Sequence, residues 1–271
     1  MVTAYYDRKS CGGEEAIINP VAIDVKKWLG AVTRVGRALF DGKIKPIDLD
    51  ADLIALTYGQ LSEAAQNGWG DNYDEEVKKK GSLSRKLDEH IFLFSGVKTY
   101  QNMVAMNDML VDSDGKILPW SDFKTEVLKL HDTYNVNYLA TEYQTANRSA
   151  QAARQWQTFE DNSDLFPNLK YRTIGDKRVR DEHDKLDNII KSIKDPFWDS
   201  HYPPNGWNCR CYVQSNDDAV TKGTPKVTVE NGFKNNVGKT GKVFDDDGHP
   251  YFKVPKKDLK TITKNLSDGK K

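Results

Sequence analysis

The chain has 271 residues, its 40 lysines and arginines balance 40 aspartates and glutamates, and its mean hydropathy is −0.71. A net charge of zero excludes a global field that draws the protein to nucleic acid or anionic lipid, so any such contact would come from a local patch. No segment is apolar enough to span a bilayer, and the first residues lack the apolar core of a signal peptide. With only three cysteines, we expect a non-secreted protein in a reducing compartment rather than a disulfide framework.

Helical periodicity runs through the first 160 residues. Asn19–Pro20 predicts the start of a helix that continues to Leu39, and apolar residues recur in it at spacings of three and four. The same spacing is found in residues 49–65 and 82–110. A further helix, or a pair of helices, is predicted over residues 121–160. These segments contain no phosphate loop, dinucleotide fingerprint or zinc-protease motif. The apolar faces of the leading helices have few obvious packing partners in a small domain. We therefore expect that region to be an arm that binds a partner protein.

The pattern changes after residue 160. "LKYRTI" and "NCRCYVQS" predict strands, and "DKRVRDEHDKL" between them predicts a short helix or turn. In the tail, "TPKVTVENGF", "GKVFDDDG" and "PYFKVP" are β-like segments separated by turn residues. The predicted fold class is therefore α+β, with a mainly helical N-terminal region at residues 1–115, a small α+β module at 116–215, and a β-rich or partly ordered tail at 216–271.

Two of the three cysteines lie one residue apart. In an extended strand, Cys209 and Cys211 point to one face and Arg210 to the other, so the two sulfurs form half of a zinc site. The candidate metal ligands are His183, His201, Cys209 and Cys211. Two interpretations stay open: buried thiols that pack as small apolar groups with no cofactor, or one structural zinc with His201 or water as its fourth ligand.

A mixed-charge cluster lies between Arg172 and His183. Such a cluster is found in active sites of nucleases and transferases. Arginines of this kind also tie strands to loops through bidentate pairs with carboxylates and through bonds to carbonyl groups, and the surrounding prolines and aromatic residues favour that structural role. On this interpretation Arg210 holds a carboxylate of the Asp176–Glu182 turn through two hydrogen bonds.

Three blocks together, "RTIGDKRVRDEHDKLD", "DPFW" and "YPPNGWNCRCYV", resemble the phage Mu F-type minor head protein family, also called the phage head morphogenesis family. Its signature is an arginine-rich turn with aspartate, then R-x-x-H-x-x-L and, after a spacer, P-P-x-x-x-x-C-R-C. The matching residues are Arg180, His183, Leu186, Pro203, Pro204, Cys209, Arg210 and Cys211. The helix "TEYQTANRSAQAARQW" is also similar, so the resemblance covers residues 125–213. Many members carry a histidine where this chain has Gly206–Trp207–Asn208, so His201 would have to replace it at a metal site.

The resemblance implies a structural role for this part of the chain. The residues expected to carry that role are Arg172, Asp176, Arg178, Arg180, His183, Leu186, Pro203, Pro204, Trp207 and Arg210. It implies no catalytic residue. The expected protein is a minor component of a phage or prophage head, present in several copies at the portal vertex or inner capsid, and acting in head assembly, genome packaging or ejection.

The resemblance also implies partners and a location. We expect contacts with the portal protein and the major capsid protein, local contacts with packaged DNA, and no membrane. The protein would be found in the virion head and, during assembly, in the cytoplasm of the bacterial host. The polar composition fits long helices that lie along other subunits. The alternative is an enzyme, a nuclease-like or ADP-ribosyltransferase-like effector that uses the cluster from Arg172 to His183.

Overall fold

The computed structural model describes residues 24–269 and confirms a mainly helical α+β protein. The helices are α1 Val25–Phe40, α2 Ala51–Trp69, α3 Tyr73–Lys78, α4 Leu83–Asp108, α5 Trp120–His131, α6 Leu139–Asp161, α7 Asp181–Asp184, α8 Trp198–His201, α9 Val237–Thr240 and α10 Lys256–Gly269. Short 3₁₀ helices cover Pro46–Asp48 and Pro250–Phe252, and a π-helix at Asp132–Tyr138 joins α5 to α6. The strands are β1 Asn168–Arg172, β2 Ile190–Ser192 and β3 Tyr212–Asn216. No helix among the described residues is long and apolar enough to cross a bilayer.

The described chain divides into two compact units. One takes in Leu61–His90 and Thr141–Pro250, and the other takes in residues 24–60, 91–140 and 251–269. The second unit is built on α1, which Asp24 caps by accepting a hydrogen bond from the Lys27 backbone N–H.

The apolar face of α1 packs against α5 in the second unit. Its residues Trp28, Val32, Val35 and Leu39 are at most 2% exposed. A Cβ atom on Gly36 would lie only 3.3 Å from Val127, so the two helices approach closely at this glycine. The expectation of few packing partners within the chain is wrong for α1, because its apolar face is buried against a helix almost a hundred residues later, a long-range pairing that local periodicity does not report. The partner-binding arm at residues 1–115 stays a prediction.

Helix α4 is continuous from Leu83 to Asp108 and includes Gly96. A Cβ atom on Gly96 would overlap a methyl group of Leu266, so the glycine allows α10 to pack closely on α4. Met103 and Met106 are fully buried, as expected of residues that fill a core.

The first unit contains the antiparallel sheet, in the order β2-β1-β3. Leu169 of β1 pairs with Lys191 of β2 and with Ser215 of β3. Helix α6 is tied to the last strand, since the side-chain amide of Gln155 donates a hydrogen bond of 3.2 Å to the Val213 carbonyl oxygen. The predicted strand in "LKYRTI" and the short helix in "DKRVRDEHDKL" are both confirmed.

The prediction of a β-rich tail is wrong for residues 217–269. The three β-like segments form no strand there; they are loops with α9 and a 3₁₀ helix, followed by α10. Their apolar residues Val229, Phe233, Val243 and Phe244 are buried, and the rings of Phe233 and Phe244 lie 5.8 Å apart. Glycine and proline bound the short segments, and both residues disfavour strand pairing. The predicted helix start at Asn19–Pro20 lies outside the described residues.

Candidate functional site

The two neighbouring cysteines converge on one histidine. Cys209 Sγ lies 3.7 Å and Cys211 Sγ 3.5 Å from Nδ1 of His183, which α7 positions. The three ligand atoms all lie within 4.8 Å of one another, and both cysteines are free thiols. The cysteines come just before β3, rather than inside the strand as expected. Among the described residues, this is the group that could hold a metal ion.

The environment of the group favours a thiolate at Cys209. The hydrogen-bonding Cys211 thiol and the adjacent His183 ring hold the pKa of the Cys209 thiol well below its ordinary value, although burial acts in the opposite direction. Cys209 is 1% exposed and His183 is 5% exposed, whereas Cys211 is only partly buried. The thiols border an open cavity of about 350 Å³ lined by Arg148, Gln151 and Tyr202 among others.

His201, the other imidazole considered as a ligand, is not part of this group. Its ring stacks on Phe197 with centroids 4.6 Å apart, and its Nδ1 lies 2.9 Å from the Ser200 hydroxyl. Burial lowers the pKa of this imidazole, against the effect of the Phe197 carbonyl. His201 lies at the end of α8, a helix that the sequence reasoning missed, and that helix directs the ring towards Phe197.

Arg210 projects to a carboxylate of the preceding turn. Its two terminal nitrogens donate hydrogen bonds of 2.7 and 2.6 Å to the two carboxylate oxygens of Asp176, so the predicted bidentate pair is present. The Asp176 carboxylate also accepts a hydrogen bond from the Arg178 backbone N–H. The Arg210 guanidinium is the main reason why the pKa of Asp176 is lowered to about 2.

Other arginines of the cluster fix backbone carbonyls and carboxylates. Arg180 donates a hydrogen bond of 3.0 Å to the Trp207 carbonyl oxygen, and Arg172 lies 3.3 Å from the Asp187 carboxylate. Arg148 of α6 donates a hydrogen bond of 2.7 Å to the Cys209 carbonyl oxygen. We call residues 176–183 and 203–211, held in this way, the clasp. Sequence reasoning missed the part played by Arg148, although its helix had been singled out by its resemblance to the family.

Trp207 is the apolar centre of the clasp and is 1% exposed. Its ring lies 5.1 Å from Phe233, 5.3 Å from Phe244 and 5.9 Å from His249, measured between ring centroids. All three neighbours come from the tail, so the tail covers the clasp. Nothing in the local pattern of the tail identifies these partners, because the contact joins segments that are distant in sequence.

The remaining residues of the expected signature differ in burial. Leu186 is 1% exposed, and the Pro203–Pro204 peptide bond is cis. Arg178 is largely solvent-exposed, with its Nε 3.7 Å from the Asp176 carboxylate.

Comparison with known proteins identifies the segment that carries the clasp. Residues 111–214 match the family described as Phage Mu protein F like protein. We call this matched segment the Mu F-like module. A stretch of 77 residues, 28% of the chain, is 43% identical to "Putative capsid assembly protein F" of Escherichia phage Mu and covers 18% of that protein. A stretch of 95 residues, 35% of the chain, is 35% identical to the Mu-like prophage FluMu F protein of Haemophilus influenzae and covers 22% of it.

The alignments therefore span about a fifth of the length of these two relatives. No solved structure gives a significant match to the chain. The Mu F-like module contains the arginines, the histidine and the cysteines of the clasp, whereas the residues that cover Trp207 come from beyond its end.

Proposed function

We propose that the chain is a minor structural protein of a phage or prophage head that acts in head assembly. The observation that carries the proposal is the match of residues 111–214 to the Mu F-like family, since that segment contains the clasp. A relative of this segment bears the name of a capsid assembly protein. The arrangement of the clasp fits such a role, because its charged side chains hold loops in place.

The finer part of the proposal concerns location and partners. The protein would lie at the portal vertex or the inner capsid surface, contact the portal protein and the major capsid protein, and take part in packaging or ejection of the genome. Its net charge of zero would confine contact with packaged DNA to local patches. This part rests on the resemblance of the Mu F-like module to phage head proteins.

The proposal assigns no catalytic activity to the chain. Arg172, Arg180 and Arg210 each contact a carboxylate or a backbone carbonyl oxygen of the same unit. These contacts support a structural role over a nuclease-like or ADP-ribosyltransferase-like one, in which arginines are turned towards a substrate phosphate. If the chain were such an enzyme, Arg172→Lys would lower its catalytic activity. A structural head protein would show no such activity in either form.

The experiment is complementation of a phage or prophage from which the gene has been deleted. The wild-type chain should restore DNA-filled heads, and Arg210→Lys should restore fewer of them, because lysine cannot form the bidentate pair with Asp176. Arg178→Lys is the matched control: it changes an exposed arginine near the same carboxylate and should complement fully. Normal heads in the absence of the gene, or a purified chain that cleaves nucleic acid or transfers ADP-ribose, would contradict the proposal.

A further inference from the structure

The geometry of the thiol and imidazole groups suggests more than packing. His183 lies on α7, whereas Cys209 and Cys211 lie 26 and 28 residues later in the loop before β3. Two sulfur atoms from this loop approach the same ring nitrogen, at 3.7 and 3.5 Å. A neutral imidazole nitrogen has one lone pair or one hydrogen, so it makes one good hydrogen bond and not two. Simple hydrogen bonding therefore accounts for only one of these two approaches.

The distances agree with those expected around one shared ion. Tetrahedral zinc binds cysteine sulfur at about 2.3 Å and histidine nitrogen at about 2.0–2.1 Å, which places ligand sulfur and nitrogen atoms about 3.6 Å apart. The two observed distances lie on either side of this value. Thiolate and imidazole ligands together favour zinc over calcium or magnesium, which prefer oxygen ligands.

We propose that His183 Nδ1 and the sulfur atoms of Cys209 and Cys211 bind one zinc ion that fastens α7 to the loop before β3. Water from the adjoining cavity of about 350 Å³, which Cys209 and Cys211 line, occupies the fourth position. His201 is not a ligand, since it does not belong to the group and is stacked on Phe197.

Contacts outside the ligands hold the loop in place for binding. The Cys209 carbonyl oxygen accepts a hydrogen bond from Arg148, and the Cys209 backbone N–H donates one of 3.1 Å to the Gly206 carbonyl oxygen. Arg210, between the two ligands, is fixed to Asp176. Outer contacts of this kind orient ligands in advance and raise metal affinity. In this proposal the ion cross-links two segments of the clasp.

The test is the metal content of the full chain, purified without a histidine tag from cells supplied with zinc. We expect about one zinc per chain. Replacement of a residue outside the ligands typically lowers metal affinity about 10- to 100-fold. Zinc affinity should fall by more than this in each ligand variant: His183→Gln, Cys209→Ser and Cys211→Ser. His201→Gln is the matched control and should retain the full zinc content, because His201 is stacked on Phe197 outside the group.

A second measurement does not depend on the folding of any variant. Replacement of zinc by Co²⁺ in the wild-type chain should give thiolate-to-cobalt charge-transfer bands and the visible bands of tetrahedral Co²⁺. X-ray absorption at the zinc edge should resolve two sulfur ligands. Removal of zinc by a chelator should lower the melting temperature, since the ion binds only the folded clasp. The proposal would be overturned by a wild-type chain that takes up neither zinc nor Co²⁺. It would also be overturned if Cys211→Ser kept the full zinc content or if His201→Gln lost it.

Discussion

Replacement of Trp207 by alanine should destabilise the unit that contains the clasp. The indole ring is 1% exposed and lies against Phe233, Phe244 and His249. These neighbours come from the tail, so Trp207→Ala removes the aromatic contacts between the clasp and the segment that covers it. The cavity that remains is enclosed by aromatic rings, which cannot easily move into it.

The expected magnitude follows from the buried area. A buried aromatic side chain removes about 150–250 Å² from water, and at about 25 cal/mol per Å² this area is equivalent to about 4–6 kcal/mol. Alanine keeps part of that area, and the unfolded chain already buries some of it. We therefore expect a loss of about 3–5 kcal/mol in the free energy of unfolding, or about 6–20 °C in melting temperature.

Far-UV circular dichroism is the appropriate assay, because the substitution removes a tryptophan and alters fluorescence directly. Urea titration of the same samples gives the free energy of unfolding. Phe166→Ala is the control: this aromatic residue is 41% exposed and its loss should cost less than about 1 kcal/mol. If Trp207→Ala unfolds at the same temperature and urea concentration as the parent, Trp207 is not the apolar centre of the clasp.

Three further predictions follow from other contacts. Arg210 lowers the pKa of Asp176 to about 2, below the value of about 3.9 for an unfolded aspartate. The pair therefore stabilises the fold fully above about pH 5 and progressively less as the pH falls towards 2. In Asp176→Asn the melting temperature should depend less on pH in this acid range, and an unchanged dependence would show that the pair does not contribute to it. Gly68→Ala should lower the free energy of unfolding by at least about 1–3 kcal/mol, because the added Cβ would overlap a backbone carbonyl oxygen of α6. Gly59→Ala in the same helix meets nothing within 4 Å and should stabilise the fold by about 0.5–1 kcal/mol. If urea titration gave the same change in stability for both variants, the close packing of α2 on α6 at Gly68 would be contradicted. Residues 1–115 expressed alone lack α5 and should aggregate or melt without cooperativity, whereas a soluble monomer with a sharp melt would show that the leading helices need no mate.

The sequence predicted the long helices because their apolar stripes are local signals. Residues 49–65 and 82–110 correspond closely to α2 and α4, and "LKYRTI" contains β1. The helices and β1 were predictable from patterns within short segments. The bidentate contact between Arg210 and Asp176 was predicted from the chemistry of arginine and the carboxylates of the preceding turn, although residues 209–211 do not lie in the expected strand.

The errors arise where distant segments decide the structure. β2 has only three residues and depends on its pairing with β1, so it has no local signature. By contrast, Ile262 and Leu266 of α10 are spaced four residues apart on one helix face and are buried, so this helix had a local signal that the sequence reasoning missed. The tail resembles strands by composition, but its Phe233 instead packs on Trp207.

The most direct test of the head-protein account is quantitative mass spectrometry of DNA-filled heads purified from the phage or prophage that encodes the chain. The account predicts that the chain remains with the heads through density-gradient purification and high-salt washing, in a small and constant ratio to the major capsid protein. A chain that is absent from purified heads, although it is abundant in the lysate, would contradict it.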